Sequence, residues 1–205
     1  MIDCKKKEKV LVVPRETSIK KFLINGGSNF SEEELGLILK DGVYGTRCLM
    51  EKNFNFKQII PYIAFISDKK VLVYKRSQKS GEDRLHEKYS IGVGGHTDLE
   101  DDKTKETIDV LFDTAIREVE EEIGVEINRD DLNVKYFIND DSDDVGKVHF
   151  GVGFVINKNF KLDGGEEDII VDRSFKSKKE VEEIFDKLES WSQIFYNGVV
   201  KDLIE

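Results

Sequence analysis

Three glutamates, Glu118, Glu121 and Glu122, stand three and four residues apart, a spacing that gathers side chains on one side of an α-helix. With Glu118 at 0° and about 100° per residue, Glu121 falls near 300° and Glu122 near 40°, so the carboxylates share about 100° of arc. Ile108, Phe112, Ala115, Ile116, Val119 and Ile123 project at about 60° to 160° and form the apolar stripe that fixes the buried side. Carboxylates so crowded repel one another by a few tenths of a kcal/mol per pair, and near a helix C-terminus they also oppose the macrodipole. A hard divalent cation relieves that repulsion, and Mg²⁺ in particular is held by one or two carboxylates together with substrate phosphates. The bland alternative is an ordinary solvated acidic face. Upstream charge suits a polyanion. Lys69 to Lys88 holds seven basic residues against three acids, and Asp98 to Asp144 holds eighteen acids against five basic residues. Lys75, Arg76 and Arg84 are the candidate phosphate contacts, since Arg can chelate phosphate oxygens through two donors. His96 directly follows Gly95 and could touch substrate or metal, although a lone His is more often structural. His86 and His149 carry no signal.

Those residues need elements to position them. Val10 to Val13 before Pro14 reads as a strand, and Ser31 with Glu34 forms a capping box for a helix through Leu35 to Leu39. Ile59 to Ile66 and Val71 to Tyr74, joined by Ser67-Asp68-Lys69-Lys70, read as a hairpin. Ile91-Gly92-Val93-Gly94-Gly95 is a glycine-rich strand end. The acidic helix then runs from about Lys105 to Ile123 and is closed by Gly124 at the position of a left-handed C-cap. Val134 to Ile138 and Lys147 to Ile156 are strand-like, with Asp140 to Gly146 as a solvated turn between them. Ile169 to Val171 reads as a further strand, and helical patterns at Lys178 to Leu188 and Ser190 to Ile204 finish the chain, with Trp191 packing onto the core. This interleaving gives an α/β fold, an α/β/α sandwich around a mixed β-sheet. Residues 1–58 read as an N-terminal extension packed on a core domain of residues 59–205.

The string Arg117-Glu118-Val119-Glu120-Glu121-Glu122-Ile123-Gly124-Val125, preceded by Gly94-Gly95, resembles the second half of the Nudix hydrolase signature at every fixed position. The first half departs from the pattern. Counting back from Arg117 places the signature Gly at Lys103 and the first Glu at Asp109, so the glycine pair implies about eight inserted residues within Asp98 to Glu106. Asp101, Glu106 and Asp109 are all open as the replacement for the first signature Glu. The resemblance covers roughly residues 59–205 and implies a MutT-like, Mg²⁺- or Mn²⁺-dependent pyrophosphohydrolase. Its substrate would be a nucleoside diphosphate linked to another moiety. It further implies Glu118 and Glu122 as main metal ligands, with Glu121 in the same cluster and the Gly94 carbonyl as a further ligand. Glu118 would also orient the attacking water, and Arg117 would hold the loop and the glutamates through ion pairs. A general base from a later loop is open among Glu166, Glu167 and Asp140 to Asp144.

The chain has 205 residues, enough for one domain with an elaboration. Its net charge of −10 argues against a stable nucleic-acid footprint. No apolar stretch approaches the ~18 residues of a membrane span. Two cysteines, Cys4 and Cys48, lack metal-ligand spacing and read as packing residues of a cytoplasmic protein. Two other function classes compete. A non-catalytic nucleotide sensor on the same scaffold commonly loses box glutamates, whereas this chain keeps all three. An isopentenyl diphosphate isomerase places a catalytic Cys just ahead of the His, where Gly94-Gly95 stands. The N-terminal extension could cover the site or pair with a second chain as a homodimer.

Overall fold

A computed structural model describes residues 8–76, 88–99, 107–159 and 170–205. Along the chain lie β1 (Lys9–Pro14), β2 (Gly26–Ser28), α1 (Glu32–Lys40), β3 (Val43–Thr46) and α2 (Arg47–Met50). The long strand β4 (Phe56–Ser67) and β5 (Lys70–Arg76) follow, then the short β6 (Tyr89–Ser90) and β7 (Gly92–Val93). The helix α3 (Thr107–Ile123) precedes β8 (Asn133–Asn139), β9 (His149–Asn157), β10 (Ile170–Lys176), α4 (Lys178–Glu183) and α5 (Ser190–Gly198).

The apolar run at 59–66 becomes the middle of β4, and its hairpin to β5 closes through Asp68 and Lys69 with φ of 49° and 60°. Two successive positive φ values are those of a type I′ turn, whose twist matches the flanking strands. The sheet runs β10-β5-β4-β9-β8-β2, with β1 on β4 and β3 on β1. It is mixed: β4 and β9 are parallel from Gln58↔His149 to Ile66↔Asn157, and the other ladders are antiparallel. Alternation along the strands builds two cores. Ile59, Ile63, Phe65, Leu72 and Tyr74 face α1 and α3, while Tyr62, Ala64, Ile66, Val71 and Val73 face the C-terminal helices. The result is the expected three-layer sandwich. The segment before residue 59 supplies β1, β2 and β3 to the same sheet, and Leu35, Ile38 and Leu39 of α1 join the α3 core.

Local signals explain most boundaries. Ser31 accepts from the Glu34 amide at 3.2 Å, and Glu34 accepts from the Ser31 amide at 2.8 Å, completing the capping box. Gly124 ends α3 at φ 74°. The C-terminal helices are shorter than their apolar pattern implies. After α4, Phe185–Lys187 tightens into a 3₁₀ turn, and Val200–Asp202 does so after α5. Gln193 fixes the first break by donating to the Phe185 and Leu188 carbonyls at 3.0 and 3.1 Å. Trp191 packs edge-on against Tyr62, with ring centroids 5.7 Å apart. Cys48 is disulfide-bonded, which corrects its reading as a packing residue; Cys4, the sequence's other cysteine, lies outside the described residues. Among the described residues no helix is long and apolar enough to cross a membrane.

Candidate functional site

The apolar stripe of α3 is buried as projected: Ala115, Val119 and Ile123 are sealed in the core. Burial extends further around the first half of the helix, to Val110, Leu111 and Thr114, because α1 covers that side. Glu118 is therefore not on an open face but only 8% exposed. Its carboxylate lies against the corner that follows β7. A Cβ built on Gly95 would stand 2.5 Å from Glu118 Oε2 and closer still to Oε1 and Cδ. Gly94 has no room either, since a Cβ there would overlap the Pro61 carbonyl. Backbone approach thus requires glycine at 94, whereas at 95 a methyl group would displace the end of the Glu118 side chain.

The corner is held from two sides. Leu11 of β1 donates its amide to the Thr97 carbonyl at 2.8 Å, and Thr97 Oγ1 donates to the Ile59 carbonyl of β4 at 3.0 Å. From α3, Arg117 reaches back with its fork. Nη1 donates to Glu118 Oε1 at 2.7 Å and to Glu121 Oε2 at 2.9 Å, and Nη2 donates to the His96 carbonyl at 3.2 Å. One guanidinium thus ties two of the acidic side chains to the glycine corner, as its planar set of donors allows. Glu121 is exposed and Glu122 half-buried. Arg117, Glu118 and Glu121 meet at the corner, Gly94 precedes Gly95 in it, and Glu122 stands one helical turn beyond Glu118 on α3.

The other candidates lie differently. Lys75 sits on β5 with its ammonium 4.8 Å from the centroid of the Tyr89 ring, on the sheet face of the C-terminal helices. Arg84, Asp101, Glu106, Glu166 and Glu167 and the side chain of Arg76 lie outside the described residues. Asp109 pairs with Arg129.

The Asp-rich turn is more structured than a solvated loop. Lys57, fully buried, donates to Asp141 Oδ1 at 2.6 Å and to the Gly146 and His149 carbonyls at 2.6 and 3.0 Å. Arg15 also pairs with Asp141. Burial pushes the Lys57 ammonium down to about 8, against the raising effect of Asp141. Burial would raise Asp141, but the Arg15 and Lys57 hydrogen bonds outweigh it and hold that carboxyl below the usual range. Asp143 accepts from the Gly146 amide at 2.7 Å, and Asp144 pairs with Lys147 at 2.8 Å.

Beside the corner stands a group that the sequence does not reveal. His96 Nε2 and His149 Nε2 are 3.1 Å apart, and Glu51 approaches them at 3.6 and 4.0 Å. The imidazole side chains are 13% and 10% exposed and that of Glu51 33%. Burial, then the charges of Arg47, His149 and Arg117, hold His96 well below the usual histidine range. These residues are far apart in the chain and meet only because β4 and β9 pair with His149 opposite Gln58 and because α2 follows β1's partner β3.

No family model matches the chain. Protein YmaB of Bacillus subtilis (strain 168) is 31% identical over 209 residues, covering 97% of this chain and 98% of that protein. The crystal structure of Tm1382, a putative Nudix hydrolase, superposes with a TM-score of 0.80 at 28% identity, over 96% of this chain and 100% of that one. A MutT NUDIX hydrolase from Burkholderia pseudomallei shares the fold, with a TM-score of 0.52 at 16% identity, over 70% of this chain and 98% of its own.

Proposed function

The chain belongs to the Nudix hydrolase family, and on that premise we propose that it is a metal-dependent pyrophosphohydrolase. Its substrate is a nucleoside diphosphate linked to another moiety, and the bond cleaved is the phosphoanhydride. The observation that carries this reading is the Arg117 fork, which ties the Glu118 carboxylate cradled by Gly95 to Glu121 and to the corner carbonyl of His96. Carboxylate oxygens and a backbone carbonyl are hard donors, the set that Mg²⁺ or Mn²⁺ prefers, and the cradle fits such an ion. When bound, it supplies charge neutralisation on the phosphate oxygens, which together with positioning does most to speed transfer at phosphorus.

The residues divide the remaining work. Glu118 and Glu122 hold the cation, with Glu121 in the same cluster and the Gly94 carbonyl as a further donor. Glu118, shielded from bulk water, also accepts a hydrogen bond from the attacking water and orients it. Arg117 keeps the glutamates in place while the cation is absent, offsetting the repulsion of three crowded carboxylates. Lys75, Arg76 and Arg84 are the cations assigned to the substrate's phosphates; Lys75 would have to leave the Tyr89 ring to reach one.

The test is a panel of nucleoside diphosphate derivatives incubated with Mg²⁺, with Mn²⁺ and with a chelator, for the wild type and Glu122→Gln. Release of a nucleoside monophosphate only with the cations, cut about 100-fold or more by Glu122→Gln, is the expected result. Tight nucleotide binding with no turnover would replace the hydrolase reading by that of a sensor.

A further inference from the structure

We propose that Glu51, His96 and His149 form a second metal site, separate from the α3 carboxylates and made for a divalent transition ion of the zinc class. Their ligand atoms lie within 4.8 Å of one another. The two Nε2 atoms are 3.1 Å apart, and Glu51 comes within 3.6 Å of His96 through Oε1 and within 4.0 Å of His149 through Oε2. A tetrahedral ion with bonds of about 2.0–2.1 Å sets its ligands about 3.3 Å apart. The two imidazoles already stand near that separation, and a turn of the Glu51 carboxylate that brings one oxygen in by up to about 1.5 Å completes the set.

The surroundings are those of a metal site. His149 Nδ1 lies 2.8 Å from the Val145 carbonyl. Donation there leaves the lone pair on Nε2, which accepts from the Gln58 amide at 3.2 Å and which an ion would take over from that amide. Arg47 Nε donates to Glu51 Oε1 at 3.4 Å and so positions the carboxylate. Gln58 is fully buried with its Nε2 3.2 Å from His149 Nε2, and its Oε1 makes no hydrogen bond among the described residues. A water in the ion's fourth position is a donor of the kind that oxygen lacks. Two imidazoles and one carboxylate select borderline ions such as Zn²⁺ or Co²⁺, whereas Mg²⁺ prefers the all-oxygen donors of α3. The site joins three distant segments, and one of its ligands, His96, carries the carbonyl that Arg117 grips. The rival arrangement is a hydrogen bond from His96 to His149 that binds no ion.

The full chain, stripped with a chelator, is titrated with Co²⁺ and then Zn²⁺ in excess Mg²⁺. One equivalent of Co²⁺ showing tetrahedral visible absorption and displaced by Zn²⁺ is expected. Affinity should fall about 100-fold or more in Glu51→Gln and in His149→Ala, and should persist in Glu122→Gln. Zinc at about 100 times its dissociation constant should raise the melting temperature of the wild type by roughly 5 °C or more. That shift and the partly exposed Glu51 variant decide the matter if His149→Ala does not fold. No cobalt spectrum in the wild type, an affinity unchanged in Glu51→Gln, or an equal loss in Glu122→Gln would overturn the proposal. Hydrolysis is not read in this experiment, so its outcome is independent of the pyrophosphohydrolase reading.

Discussion

Adding one methyl group at Gly95 separates positioning of the Glu118 carboxylate from its chemistry. The Ala Cβ would stand 2.5 Å from Glu118 Oε2 and nearer to Oε1, whereas ordinary carbon–oxygen contact begins near 3.3 Å, so the carboxylate must retreat by about 1 Å. It is the far end of a flexible side chain, so the fold gives way there cheaply, with a stability loss of roughly 1 kcal/mol. Catalysis does not. A misplacement of about 1 Å costs on the order of 100-fold in rate, or about 2.7 kcal/mol in the barrier. Gly95→Ala should therefore melt within about 4 °C of the wild type and lose about 99% of turnover, with Mn²⁺ binding weakened in a calorimetric titration. Gly94→Ala is the contrast, because its methyl meets the Pro61 backbone carbonyl, which cannot swing aside, and folding itself suffers. Full turnover in a folded Gly95→Ala protein would refute the claim that the cradled carboxylate does chemistry.

Arg117→Lys replaces a fork that reaches three acceptors with a single ammonium; turnover should drop about 10-fold or more at nearly unchanged stability, since the group is partly solvated. Lys57→Met should cost about 3 kcal/mol and lower the melting temperature by roughly 6–12 °C, because it strips a buried donor from Asp141 and two carbonyls; a loss under about 1 kcal/mol in denaturant would contradict that. The same network predicts acid sensitivity. The Asp141 carboxyl is held below its ordinary 3.8, so its stabilisation is present above that value and is lost as pH falls through the folded pKa. Denaturation curves from pH 6 down to about 3 should be steeper in pH for the wild type than for Asp141→Asn. Lys57 has the same sign at higher pH: between about 8 and 10.5 the unfolded chain binds more protons, so stability contributed by this residue also rises with pH.

The periodicity of α3, the capping box at Ser31 and the β4–β5 hairpin were legible because each is written in contiguous residues. So was the acidic trio, whose spacing on one helix needs no tertiary information. The burial of Glu118 was not, because the projection of α3 knows nothing of α1 or of the corner at Gly95. Glu51 and His149 were missed for a related reason. Each is an ordinary polar residue in its own segment, and they meet His96 only through the pairing of β1, β3, β4 and β9. The Asp140–Asp144 turn looked like solvated surface, and its partner Lys57 is 84 residues from Asp141 in the chain. A lysine inside an apolar strand is itself a signal, since such a group is seldom buried without a carboxylate and carbonyls to receive it.

The central claim is that the α3 carboxylates hold a hard divalent cation, and crystals grown with manganese test it most directly. Diffraction at the manganese edge should show an anomalous peak against Glu118 and Glu122, within about 2.0–2.3 Å of their carboxylate oxygens, and Glu122→Gln should abolish or displace it. A map with no peak there, at a manganese concentration that supports turnover, would contradict the account.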